Sequence, residues 1–123
     1  MLIRAAGAQD NDGVHYVGTE GGYIINIPAT PVLYHAGDTS VFGDMSLIAE
    51  MYQPEVAMLP IGGHFTMDPK QAAVAVRLLK VKTILPIHFG TFPPLTGTPA
   101  DLATQVAARV VQWSPGEVFA PGA

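Results

Sequence analysis

Three times along this chain an apolar, β-favouring run ends in a short loop that carries an acid or an imidazole, and each loop leads into a helical pattern. The loops are His35-Ala36-Gly37-Asp38-Thr39, Pro60-Ile61-Gly62-Gly63-His64-Phe65 and Pro86-Ile87-His88-Phe89-Gly90. Repeated strand, loop and helix predict an α/β class with a mixed sheet. If the three strands lie in one sheet and point the same way, Asp38, His64 and His88 collect outside their carboxyl ends. Open α/β sheets place their ligands there. A carboxylate and two imidazoles on such an edge suit a divalent cation that activates water.

The local pattern supplies the rest of the frame. Tyr23 to Ile27 and Val32 to His35 predict an antiparallel hairpin about the turn Pro28-Ala29-Thr30-Pro31. Val56 to Pro60 and Thr83 to Ile87 are nearly all apolar, as strands covered on both faces require. Arg109 to Trp113 and Glu117 to Ala120 predict a last hairpin around Ser114-Pro115-Gly116. Three helices are expected between the strands. Asp44 caps the first, which turns Met45, Ile48, Met51 and Tyr52 inward and stops at Pro54. Asp68-Pro69 opens the second, with Ala72, Ala73, Val76 and Leu79 buried. Thr98-Pro99 opens the third, with Asp101 in its first turn and Leu102, Val106 and Ala103 as its inward residues. Residues 1–20 are expected to form a loop or arm, since residues 7 to 22 hold five glycines and a polar run at Gln9-Asp10-Asn11-Asp12. Residues 21–123 then carry the fold. The helices are expected on one face of the sheet, which leaves the other face in need of a partner.

Length and charge narrow the classes. A chain of 123 residues has room for one domain with a modest core. Only 13% of its residues are charged, against about a quarter in ordinary domains, so part of the surface is expected to meet another polypeptide. The net charge of −4, without a Lys or Arg cluster, argues against nucleic acid. No run approaches the roughly 20 apolar residues that span a bilayer, and the start lacks a signal-peptide core, so no membrane partner and a cytoplasmic location are expected. Without cysteine, His and carboxylate are the remaining strong metal ligands. Serine-hydrolase, P-loop and dinucleotide motifs are absent from the sequence.

Each chemical residue has an ordinary alternative. Asp38 can be a helix cap or an Asx-turn aspartate. His88 can be bonded to a backbone carbonyl. His64 can sit in a plain turn, or the Gly62-Gly63 pair before it can free N–H groups for a substrate anion. His35 should be packed or hydrogen-bonded, because strand alternation turns it away from Asp38. His15 in the arm should be solvated. Thr39 and Thr66 can orient a carboxylate or water, or satisfy loop backbone.

Taken together, His35-Ala36-Gly37-Asp38-Thr39, Leu59-Pro60-Ile61-Gly62-Gly63-His64-Phe65-Thr66-Met67 and Pro86-Ile87-His88-Phe89-Gly90-Thr91-Phe92-Pro93 closely resemble predicted metal-dependent hydrolases of the metallo-β-lactamase superfamily, in the branch related to ascorbate-phosphate lactonase. The resemblance runs from about Gly21 to the C-terminus. It implies a four-layer αββα sandwich of two similar halves with a dinuclear metal site at one edge, of which this chain looks like the C-terminal half. It implies Asp38 as the carboxylate bridging two metals and His88 as a ligand of the second. His64 would serve catalysis or substrate binding, with Gly62, Gly63 and Thr39 at the substrate. The implied cofactor is a divalent metal, zinc or manganese, two in the complete site. The implied reaction is attack of metal-activated water on a lactone, ester or phosphoester of a small molecule. The family's His-x-His-x-Asp-His signature is absent from these 123 residues. The lone chain is therefore expected to need a complementing N-terminal half or a homo-oligomeric partner for activity, and not to assemble the dinuclear centre alone. The alternative expectation is a non-catalytic αβ module that associates through its bare sheet face.

Overall fold

A computed structural model describes residues 7–16, 18 and 20–120. Strands β1 (Gly7–Asp10) and β2 (Gly13–Tyr16) pair as an antiparallel hairpin in a sheet of their own. The segment expected to be a loop or arm thus contains a tight hairpin, turning at Gly13 with φ 128°. Its predicted remainder at residues 1–6, 17 and 19 lies outside the described residues.

The main sheet has five strands in the order β3 (Tyr23–Ile25), β4 (Leu33–His35), β5 (Val56–Pro60), β6 (Thr83–Ile87) and β7 (Arg109–Val110). β3 and β4 form the expected antiparallel hairpin, and β4 through β7 run parallel. Helices α1 (Met45–Tyr52), α2 (Pro69–Leu79) and α3 (Pro99–Ala103) lie between them in sequence. One row across the sheet, Ile24, Tyr34, Ala57, Ile84 and Val110, joins Met45, Ala72, Val76, Leu79 and Leu102 from the helices in a single core. All three helices therefore pack on the same face. On the opposite face Tyr23 and Ile25 are 69% and 43% exposed.

The helix ends show why the sequence folds this way. At α2, Asp68 accepts from the Gln71 N–H (2.7 Å) while the Gln71 side chain accepts from the Asp68 N–H, and Pro69 follows where its missing N–H costs nothing. α3 repeats the device with Thr98 and Asp101. α1 departs from expectation. Asp44 occupies the capping position in a helical conformation, and its side chain makes no capping bond. Met51 and Tyr52 are exposed, and Ala49 is buried in their place beside Met45. Eight residues make barely two turns, so only a narrow stripe reaches the core. In α3, Leu102 is buried as expected, but Ala103 is exposed.

The predicted last hairpin is corrected by β7. Only Arg109 and Val110 pair, in parallel with β6, and residues 117–120 form no strand. Trp113 instead turns its indole back, and its Nε1–H donates to the Pro86 carbonyl at 3.1 Å. That bond also explains a proline within an inner strand. The Ile87 carbonyl accepts from Ile61 on the β5 side, so Pro86 faces the other way, beyond the end of β7, where its missing N–H interrupts no ladder.

Candidate metal centre

The parallel run of β4, β5 and β6 brings the loops after His35, Pro60 and Ile87 to one edge. Backbone bonds then fasten these loops together. Met67 N–H donates to the Thr39 carbonyl (3.2 Å), Gly62 N–H to the His88 carbonyl (3.1 Å) and Gly97 N–H to the Gly62 carbonyl (3.2 Å). Gly62 is required by closeness, because a Cβ there would overlap the His88 carbonyl oxygen. Gly37 turns with φ 67°, and its N–H donates to His35 Nδ1 at 3.0 Å. His35 is thus the hydrogen-bonded histidine expected, and the bend behind it delivers Asp38 to the rim.

Asp38 and His88 meet there. Asp38 Oδ2 lies 3.8 Å from His88 Nε2. This exceeds a hydrogen bond. It lies within the span of about 4.2 Å that two donors, each about 2.1 Å from one shared cation, can reach. The side chains are 58% and 27% exposed, so a cation can enter from solvent. His88 adopts φ 52°, a left-handed conformation uncommon for a residue other than glycine. Its Nδ1 is buried and has no hydrogen-bond partner among the described residues, so the imidazole is not tethered to their backbone as a structural histidine would be. Asp38 is equally not a helix cap, since α1 begins at Met45. The pair fits two corners of a cation site. Among the described residues no group of three His, Asp or Glu side chains is placed to hold a metal ion, so His64 does not complete a triad with them.

His64, with φ 62°, is exposed and packs edge-on against Phe65, ring centroids 4.3 Å apart. The N–H groups of Gly62 and Gly63, one alternative for holding a substrate anion, are engaged within the chain. Gly62 N–H is bonded to His88, Gly63 N–H donates to the Met67 carbonyl at 2.9 Å, and both glycines are buried. The Thr39 hydroxyl donates to the Ser40 carbonyl at 2.8 Å, the backbone-satisfying role. Thr66 Oγ1, by contrast, two residues after His64 in the same loop, is buried without a partner among the described residues.

One feature of this rim had no sequence signal. Residues 86–91 and 113–117 enclose a cleft adjoining His88, closed by the long-range Trp113 bond.

A family model described as the beta-lactamase superfamily domain matches residues 2–88. The chain belongs to that superfamily. It is 48% identical over 118 residues to a UPF0173 metal-dependent hydrolase of Koribacter versatilis, covering 95% of this chain and 51% of that protein. The beta-lactamase superfamily fold is equally visible in solved structures. Igni18, a metallo hydrolase of Ignicoccus hospitalis, superposes with a TM-score of 0.74 at 39% identity, over 94% of this chain and 49% of its own. A Thermotoga maritima protein of the metallo-β-lactamase superfamily shares the fold with a TM-score of 0.58 at 21% identity, over 83% of this chain and 51% of its own. The chain spans about half the length of the curated relatives it matches. Among the described residues, no helix is long and apolar enough to cross a membrane.

Proposed function

We propose that this chain is the C-terminal half of a metal-dependent hydrolase and supplies Asp38 and His88 to its cation site. The convergence of those two groups to 3.8 Å on the carboxyl edge of the sheet carries the reading. A divalent ion, zinc or manganese, would lower the pKa of bound water and polarise the scissile group of a lactone, ester or phosphoester. Asp38 offers a carboxylate able to bridge two ions, and His88 offers Nε2 from a ring held by its strand end. His64 stands exposed on the neighbouring loop, where an incoming substrate can reach it. Two ligands are fewer than the three that hydrolytic sites ordinarily use, so turnover awaits further ligands from a complementing half or a second copy.

The reading has a direct test. The chain is mixed with an N-terminal segment taken from the Koribacter relative, and bound zinc and manganese are measured by mass spectrometry after gel filtration. Hydrolysis of a chromogenic lactone and a phosphodiester is followed in parallel. The mixture should hold metal and turn over, and Asp38→Ala or His88→Ala should each reduce metal affinity by at least about tenfold. Unchanged metal content in both variants would remove them from the site. A metal-free complex would favour the non-catalytic module.

A further inference from the structure

The cleft beside His88 has a volume of about 610 Å³, within the roughly 300–1,000 Å³ of small-molecule sites. Ile87, Phe89, Trp113 and Pro115 give it apolar walls, and His88 and Glu117 are its ionisable members. His88 belongs both to this cleft and to the pair with Asp38, so whatever fills the cleft lies against the proposed reaction centre. Its walls are fixed. The Trp113 indole is held by the Pro86 carbonyl, and the turn that carries Pro115 is closed twice, by Ser114 N–H on Glu117 Oε2 (2.8 Å) and by Glu117 N–H on the Ser114 carbonyl (3.0 Å).

Charge decides what it admits. Among the described residues no Lys or Arg lines the cleft, and the Glu117 carboxylate does. A phosphate or carboxylate lodged among Ile87, Phe89, Trp113 and Pro115 would lose hydration and find no Lys or Arg of the described residues there, while facing the Glu117 carboxylate. An uncharged aryl or alkyl group would lose nothing and cover apolar wall. We propose that the cleft formed by Ile87, Phe89, Trp113 and Pro115 is the subsite for a neutral, apolar substituent flanking the scissile bond. The substrate is thereby a lactone, ester or phosphoester with a hydrophobic, uncharged flank on this side. The inference rests on the hydrolase reading for its link to catalysis, but not for binding itself.

Trp113 is the chain's single tryptophan, so its fluorescence reports on the cleft. The full chain, free of metal, is titrated with acetanilide and with phenyl phosphate, which present the same ring with and without negative charge. Acetanilide should shift Trp113 emission saturably, with phenyl phosphate at least about tenfold weaker. Glu117→Gln, which keeps the acceptor for Ser114, should narrow that ratio to about threefold or less, and Phe89→Ala should weaken acetanilide. Equal binding of the two probes would overturn the proposal. So would an absence of saturable change in a chain whose Trp113 indole NMR signal shows it folded, or a ratio unmoved by Glu117→Gln. Acetanilide binding in a chain whose metal site has failed its own test would leave the cleft standing and remove the hydrolase reading alone.

Discussion

Gly62 lies so close beneath the His88 carbonyl that a single methyl group has nowhere to go. Gly62→Ala should destabilise the chain by about 1–3 kcal/mol in urea unfolding, as overpacking does, and should displace the backbone that presents His88. A variant with unchanged midpoint would show that the rim yields easily. Tyr34 supplies a pH signature. It is buried, and burial pushes its hydroxyl above the ordinary value of 10.0. A raised pKa in the fold means that its contribution is complete below pH about 10 and is lost as pH climbs through the folded value, because the unfolded chain gives up the proton first. Tyr34→Phe should therefore flatten the alkaline fall in stability, measured as unfolding midpoint against pH from 8 upward, that the parent shows. An identical slope in the variant would assign the fall to other groups.

Among the elements, α2 is the most fully specified. Asp68→Ala removes half of its capping box and should cost about 1 kcal/mol. At the other end Lys80 is held at φ 55°, so Lys80→Gly should gain up to about 1 kcal/mol by relieving a left-handed lysine. Thermal unfolding of the two variants should move in opposite directions. This helix was legible in the sequence because cap, proline and apolar spacing all fall within a dozen residues. The pairing of β3 with β4 and the apolar runs of β5 and β6 were legible for the same reason. The last hairpin was not, because β7 takes its partner from β6 and Trp113 bonds 27 positions away. Nor could the text of Gly62-Gly63 reveal that its N–H groups are already engaged, since Gly62 finds its acceptor on the His88 loop and Gly63 finds its own only once the loop folds back to Met67. The gathering of Asp38, His64 and His88 on one edge follows from the sequence only if their strands run parallel, while Asp38 and His88 as the metal pair follow from the family resemblance. β4, β5 and β6 do run parallel.

At the scale of the molecule, the two faces of the sheet differ in what a mutation can reveal. Ile25 lies on the side away from the helices and is 43% exposed. Ile25→Thr should leave the stability of the lone chain within about 0.5 kcal/mol, as surface changes do. If a complementing half covers this face, the same change should weaken that complex several-fold by gel-filtration or calorimetric titration, and an unaltered affinity would place the contact elsewhere. Tyr23 offers a second position for the same comparison.

The bonds among Thr39, Met67, Gly62, His88 and Gly97 all run from main chain to main chain. Their geometry is therefore indifferent to which side chains the rim displays at 38, 64 and 88, provided the left-handed positions are respected. Ligand identity and scaffold shape are separate variables here. An engineer could exchange Asp38 for histidine, or His64 for a carboxylate, to change which ion is preferred while the frame that aims these groups stays as it is.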